Sequence, residues 1–271
     1  MTPFPEPNAQ LELAPDQAES LAHRLTLRLA RDLGPEEAIR LLPALVRALT
    51  GAPPEPTQDR LRREVVKAAR RLADLGLMAG TAGNLSVRES PSHILITPAG
   101  LRKGEMHPDD LVRLDMQGNK LSSGLRPSSE FRMHLGVYGV RSDVNAVIHT
   151  HPPHATAFAA AGIPLDRPVL AEAVLLLAPK VPVIPFGAPS SQQLVDHLKP
   201  WLADHNAFLL ANHGVVCLGR DLAEAVQRTE TLEFLARVLL AARLLGGENL
   251  LTHADLRGLR QSRSEASADF R

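Results

Sequence analysis

From Asp16 onward, Leu21, Ala22, Leu25, Leu29 and Leu33 recur at the spacing of one helix face, and Gly34-Pro35 stops the run. Pro35-Glu36-Glu37 opens a second helical pattern, because proline suits the first helical position and acids suit the positive helix start. Its apolar stripe is Ile39, Leu42, Leu45, Val46 and Leu49; Pro43 predicts a kink or a shortened helix, and Gly51 ends it. The prolines between Gly51 and Pro56 deny helix and sheet alike, so this stretch reads as a linker. Residues 1–56 are thus expected to be an N-terminal helical hairpin and linker. They hold no reactive constellation and point to packing or assembly.

After the linker the period changes. Thr57 or Asp59 caps a predicted helix running to Leu75, with Leu61, Val65, Ala69 and Leu72 on one side and Gly76 as its stop. Short strand-like runs follow at 84–87, 93–97, 111–114, 144–149, 181–184, 207–210 and 215–218. Helical patterns lie between them at 128–140, 153–161, 191–204 and 222–245. Strands and helices are interleaved, but several strands are close enough for hairpins. This predicts an α/β fold with a mixed or largely antiparallel sheet, and not a regular alternation of parallel strands.

Composition narrows the classes. The 30 basic and 30 acidic side chains cancel, leaving no electrostatic footprint for nucleic acid or anionic lipid. One cysteine, Cys217, rules out an internal disulfide framework. The longest apolar runs, such as Ala173 to Pro179, fall far short of the ~20 residues a membrane span needs. Met1 to Gln10 lacks the basic and apolar regions of a secretory signal, so a cytoplasmic protein is expected.

The chemistry gathers at a few places. In an extended strand His149 and His151 face the same side, and two adjacent imidazoles are natural ligands for Zn²⁺ or another borderline metal; they are equally a polar strand end. His213 lies among apolar residues beside Gly214, as a satisfied core histidine or as a third ligand. Ser128 and Ser129 precede a helical run and read as plain caps or as a phosphate site at a positive helix end. Glu130 and His134, four residues apart, supply a carboxylate that could ligate or act as a base, and an imidazole that reads as support or as a competing ligand. Gly80 to Ser86 and Thr97 to Gly100 are small-residue turns where backbone amides can approach an anion, with Asn84 adding a side-chain donor. His154, near a helix start after Pro152-Pro153, reads as a cap or a supporting group, while the remaining histidines, among them His205, and the Arg102-Lys103 pair read as surface.

Taken together, Gly80-Thr-Ala-Gly-Asn-Leu-Ser86, Ile96-Thr-Pro-Ala-Gly100, Pro127-Ser-Ser-Glu130, His149-Thr-His151 and Asn212-His-Gly214 resemble, in order and spacing, the class II aldolase/adducin family. The resemblance spans roughly Asp59 to Leu245 and defines a domain over 57–250, with a C-terminal tail over 251–271. It implies a three-layer α/β/α sandwich around a mainly antiparallel sheet, assembled as a homotetramer with active sites at subunit interfaces. His149, His151 and His213 match the family's zinc ligands, one Zn²⁺ per subunit, and Glu130 matches a carboxylate that ligates the resting metal and then serves as acid/base. Gly83, Asn84, Gly100, Ser128 and Ser129 match positions that hold the phosphate of a small sugar. The implied activity is an aldehyde-lyase cleaving a phosphorylated ketose through a metal-stabilised enediolate. An epimerase, a decarboxylase, a dehydratase or a non-catalytic adducin-like scaffold are the alternatives. Two positions depart: Ala99 replaces a threonine, and no tyrosine occurs near Leu170 to Glu172, where the family draws one from a neighbouring subunit; Glu172 is the nearest substitute.

Overall fold

The computed structural model describes residues 57–269, apart from 178 and 179, together with parts of 21–35. The chain divides into two units, Met1–Thr57 and Gln58–Arg271. In the first, residues 24, 25 and 27–32 are helical, and the Gly34 amide donates to the Ala30 carbonyl at 3.1 Å with φ +91°, the predicted stop. The second predicted helix and the linker lie outside the described residues.

α1 (Thr57–Asp74) belongs to the second unit from Gln58 onward. Its Val65, Ala69 and Leu72 are fully buried on one stripe. Gly76, at φ +72°, lets the Leu77 amide turn back to the Leu72 carbonyl and close the helix. Then come β1 (Asn84–Ser90), β2 (His93–Ile96), β3 (Val112–Asp115), α2 (Phe131–Val140), β4 (Ala146–Thr150), α3 (Pro153–Ala161), α4 (Ala171–Leu177) and β5 (Val183–Ile184). The chain continues through α5 (Gln192–Leu198), β6 (Ala207–Leu210), β7 (Gly214–Gly219), α6 (Leu222–Leu244) and α7 (His253–Asp269). The seven strands form one sheet in the order β3-β2-β1-β4-β7-β6-β5, antiparallel except for the β5–β6 pair.

Strand alternation sorts the side chains onto two faces, which carry three hydrophobic clusters. Val216 and Leu218 of β7 join Val147, Phe208, Met133, Val137, Leu194 and Leu198 beneath α2 and α5. Val215 and Cys217 point the other way, into a cluster with α3, α4 and α6, while Leu85, Ala146 and Ile148 pack on α1. Helices on both faces of a mostly antiparallel sheet make the α/β/α sandwich. No helix among the described residues is long and apolar enough to cross a membrane.

Three expectations change. The helix predicted from Ser128 starts at Phe131, with Glu130 at its cap (φ −93°, ψ 13°). The Ser128 amide instead donates to the Thr97 carbonyl at 3.0 Å and Pro127 bridges Pro98, so this stretch is held extended beside β2's end. The C-terminal stretch contains α7, begun by Thr252 and Asp255, whose side chains each accept the other's backbone amide. His205 is buried, not superficial: its Nδ1 faces the Trp201 carbonyl at 3.2 Å.

Candidate active site

β4 carries His149 at its end and His151 just beyond it; β7 pairs antiparallel with β4, and the β6–β7 turn carries His213. Asn212 takes the left-handed conformation (φ 54°) that Asn tolerates better than most residues, and His213 thereby leads into β7 facing the β4 pair. Gly214 is needed for close approach: a Cβ there would lie 2.5 Å from both the His151 ring and the Thr150 carbonyl. Its φ is not positive, so packing and not a turn explains the glycine.

One ligand atom from each of His149, His151 and His213 lies within 4.8 Å of the others. The Nδ1–H of the fully buried His149 donates to the Val215 carbonyl at 2.9 Å, which leaves Nε2 as a lone pair aimed into the cluster. His151 Nε2 lies 3.0 Å from it. Glu130 completes the group, with Oε2 3.1 Å from His149 Nε2 and Oε1 3.4 Å from His213 Nε2. Oε1 is buried and receives no hydrogen bond. Three imidazoles and an unsatisfied carboxylate oxygen converging on one point fit a divalent cation.

Burial disfavours charge on the His151 and His213 rings. It lowers His151 to about 4 and lowers His213, with the neighbouring His149 adding to both. Neutral imidazole is the form that binds metal. For Glu130 burial alone would raise the pKa, but His149, the Asn84 amide and His213 outweigh it and hold the carboxyl well below its usual range.

The turns singled out in the sequence meet beside this cluster. Asn84 sits opposite His149 across the β1–β4 ladder. Gly83 precedes it at φ +78°, where a Cβ would lie 3.0 Å from the His149 carbonyl. The next residue, Leu85, donates its amide to the Thr97 hydroxyl at 3.1 Å, and Thr97 in turn receives the Ser128 amide. Gly83, Asn84, Ser128 and Ser129 are thereby tied, through Thr97, to the turn that ends at Gly100. Ser128 is buried and its hydroxyl accepts the Glu130 amide at 3.3 Å, whereas Ser129 and Gly100 are exposed. Asn84 is not free: its amide donates to Glu130 at 2.9 Å and its oxygen faces His134. His154, read as a cap or support, pairs with Glu233 at 2.6 Å, and Glu233 also accepts the Ala155 amide.

Lys103, expected at the surface, is instead 1% exposed. Its ammonium donates to the Thr81 carbonyl at 3.1 Å and the Leu101 carbonyl at 2.8 Å, lashing the first glycine turn to the second. Burial lowers its pKa from 10.5 to about 8. Between those values the unfolded chain holds a proton that the folded chain has released, so stability rises with pH across the window. Urea melts of the wild type should therefore gain on Lys103→Met as pH rises from about 8 to 10.5. Parallel curves would show that the amine does not titrate there.

Comparison with known proteins agrees with this architecture. Residues 63–240 match the class II aldolase and adducin N-terminal domain. A 5-deoxy-D-ribulose 1-phosphate aldolase of Bacillus thuringiensis serovar kurstaki is 32% identical over 199 residues, covering 73% of this chain and 92% of its own. A methylthioribulose-1-phosphate dehydratase of Azotobacter vinelandii is 32% identical over 210 residues, covering 71% and 98%. A solved L-fuculose 1-phosphate aldolase superposes with a TM-score of 0.70 at 28% identity, covering 76% and 96%.

Proposed function

The chain belongs to the class II aldolase and adducin family, and from that premise we propose that it is a zinc-dependent lyase cleaving a small phosphorylated ketose. The observation that carries this reading is the convergence of His149, His151, His213 and Glu130 beside the joined turns. An adducin-like scaffold needs no such donor set. His149, His151 and His213 would hold the cation, and Glu130 could offer it a fourth oxygen. When bound, Zn²⁺ supplies Lewis acidity toward carbonyl and hydroxyl oxygens of the substrate.

The chain's own groups do the rest. Glu130, ionised and braced by Asn84, takes and returns the proton. Gly83, Gly100 and Ser129 would offer backbone amides and Ser128 and Ser129 their hydroxyls to the phosphate, the Ser128 amide being held by the Thr97 carbonyl, with Asn84 at their edge. Binding energy from that end fixes where the reacting carbons lie. The threonine hydroxyl missing at Ala99 leaves the remaining donors to carry the anion.

The substrate test is a panel of ketose 1-phosphates assayed with Zn²⁺ for release of dihydroxyacetone phosphate. Loss of water without carbon–carbon cleavage would instead select the dehydratase reading, which the Azotobacter relative favours. Ser128→Ala should mainly raise KM, since it removes a donor to the anion and, at the reacting centre, only the 3.3 Å bond that its hydroxyl accepts from the Glu130 backbone amide. Equal turnover of phosphorylated and free ketose would contradict phosphate recognition. The proposed assembly is a homotetramer sharing its sites, and light scattering should give four chains; an active monomer would overturn the shared site.

A further inference from the structure

Between the sheet and α2 runs a line of buried polar groups: Tyr138, Ser86, His134, Asn84 and Glu130, none more than 7% exposed. Ser86 and Asn84 project from β1, while His134 and Tyr138 lie one turn apart on α2. The proton on each link follows from its neighbour. A carboxylate only accepts, so the Asn84 atom 2.9 Å from Glu130 Oε2 is the amide nitrogen. The amide oxygen then faces His134 Nε2 at 2.5 Å, and that nitrogen must carry the ring's proton. Nδ1 is left as an acceptor, and the Ser86 hydroxyl donates to it at 2.7 Å. With its one proton used, the Ser86 oxygen only accepts. Tyr138 O–H supplies the donor, 2.9 Å from that oxygen and 3.0 Å from the Ser86 carbonyl.

We propose that Asn84 is a positioning residue of Glu130, and that His134, set by Ser86 and Tyr138, fixes which end of the Asn84 amide meets the carboxylate. This rests on the reading of Glu130 as the proton carrier. It departs from the resemblance, which gives Asn84 to the phosphate. A reversed amide would set oxygen against oxygen and turn Glu130 away from its place 3.1 Å from His149 and 3.4 Å from His213. Such misplacement of a reacting group by about 1 Å can cost about 10²-fold in rate.

A double-mutant cycle on the zinc-loaded enzyme tests this. Asn84→Ala and His134→Phe should each lower kcat by about 10- to 100-fold with KM close to the wild type. The double variant should be no slower than the slower single, because His134 acts only through Asn84. Losses that multiply, or an Asn84→Ala variant that raises KM and keeps kcat, would overturn the proposal. If Glu130→Gln keeps its rate, the reading of Glu130 as the proton carrier fails; if it does not and the cycle is additive, only the positioning role fails. Should a variant not fold, ring ¹⁵N spectra of the wild type decide: His134 protonated at Nε2 alone is expected, and a proton on Nδ1 overturns the assigned order.

Discussion

Glu130→Gln should leave zinc bound and lower kcat by about 10²–10⁴, the usual contribution of a general acid–base group. Glutamine keeps the shape of the side chain and removes the group that carries the proton. Three histidines already fill the protein shell of a catalytic zinc, so the metal does not depend on the carboxylate. At its cap position Glu130 makes no side-chain capping bond, so the loss will not come from a weakened helix. Metal analysis and steady-state kinetics on the same preparation separate the two effects. Near-wild-type kcat would hand the proton to another group, with Glu172, exposed in the first turn of α4, the first to examine.

The second large effect is on the metal. His151→Ala should weaken zinc binding by well over 100-fold, since even residues that merely orient metal ligands cost 10- to 100-fold. His151 is only partly buried, so its loss disturbs the core little. His149 is a harsher site: it is fully buried, and its removal leaves a cavity in the sheet and takes a hydrogen bond from the Val215 carbonyl. The pair His149→Ala/His151→Ala should hold no zinc above background. Unchanged tight binding in the double variant would place the metal elsewhere.

How much of this was legible in the sequence depends on how local each feature is. His149 and His151 share a side because strand periodicity is two, a property of three consecutive residues. For His213 a satisfied core histidine and a third ligand both stayed open, because its approach depends on β7 lying beside β4, a pairing across more than sixty residues. Ser128 and Ser129 carried a helix-start pattern, but pairing of Pro127 with Pro98 overrode it and delayed the helix to Phe131. Lys103 looked solvated because its neighbour is Arg102; what buries it is the meeting of two loops. The Thr252 to Asp255 capping pair was a local signal for α7 and was there to be read. The Asn84–His134 link joins residues fifty apart, and no spacing rule reaches that far.

The most direct test of the central claim is reconstitution. Chelator-stripped protein is titrated with Zn²⁺ while cleavage of a phosphorylated ketose is followed. Activity should be absent without metal and rise to a plateau at about one equivalent per chain, with His151→Ala showing no such plateau. Full activity in the stripped protein, or identical titrations for wild type and variant, would contradict a catalytic centre built on these three histidines.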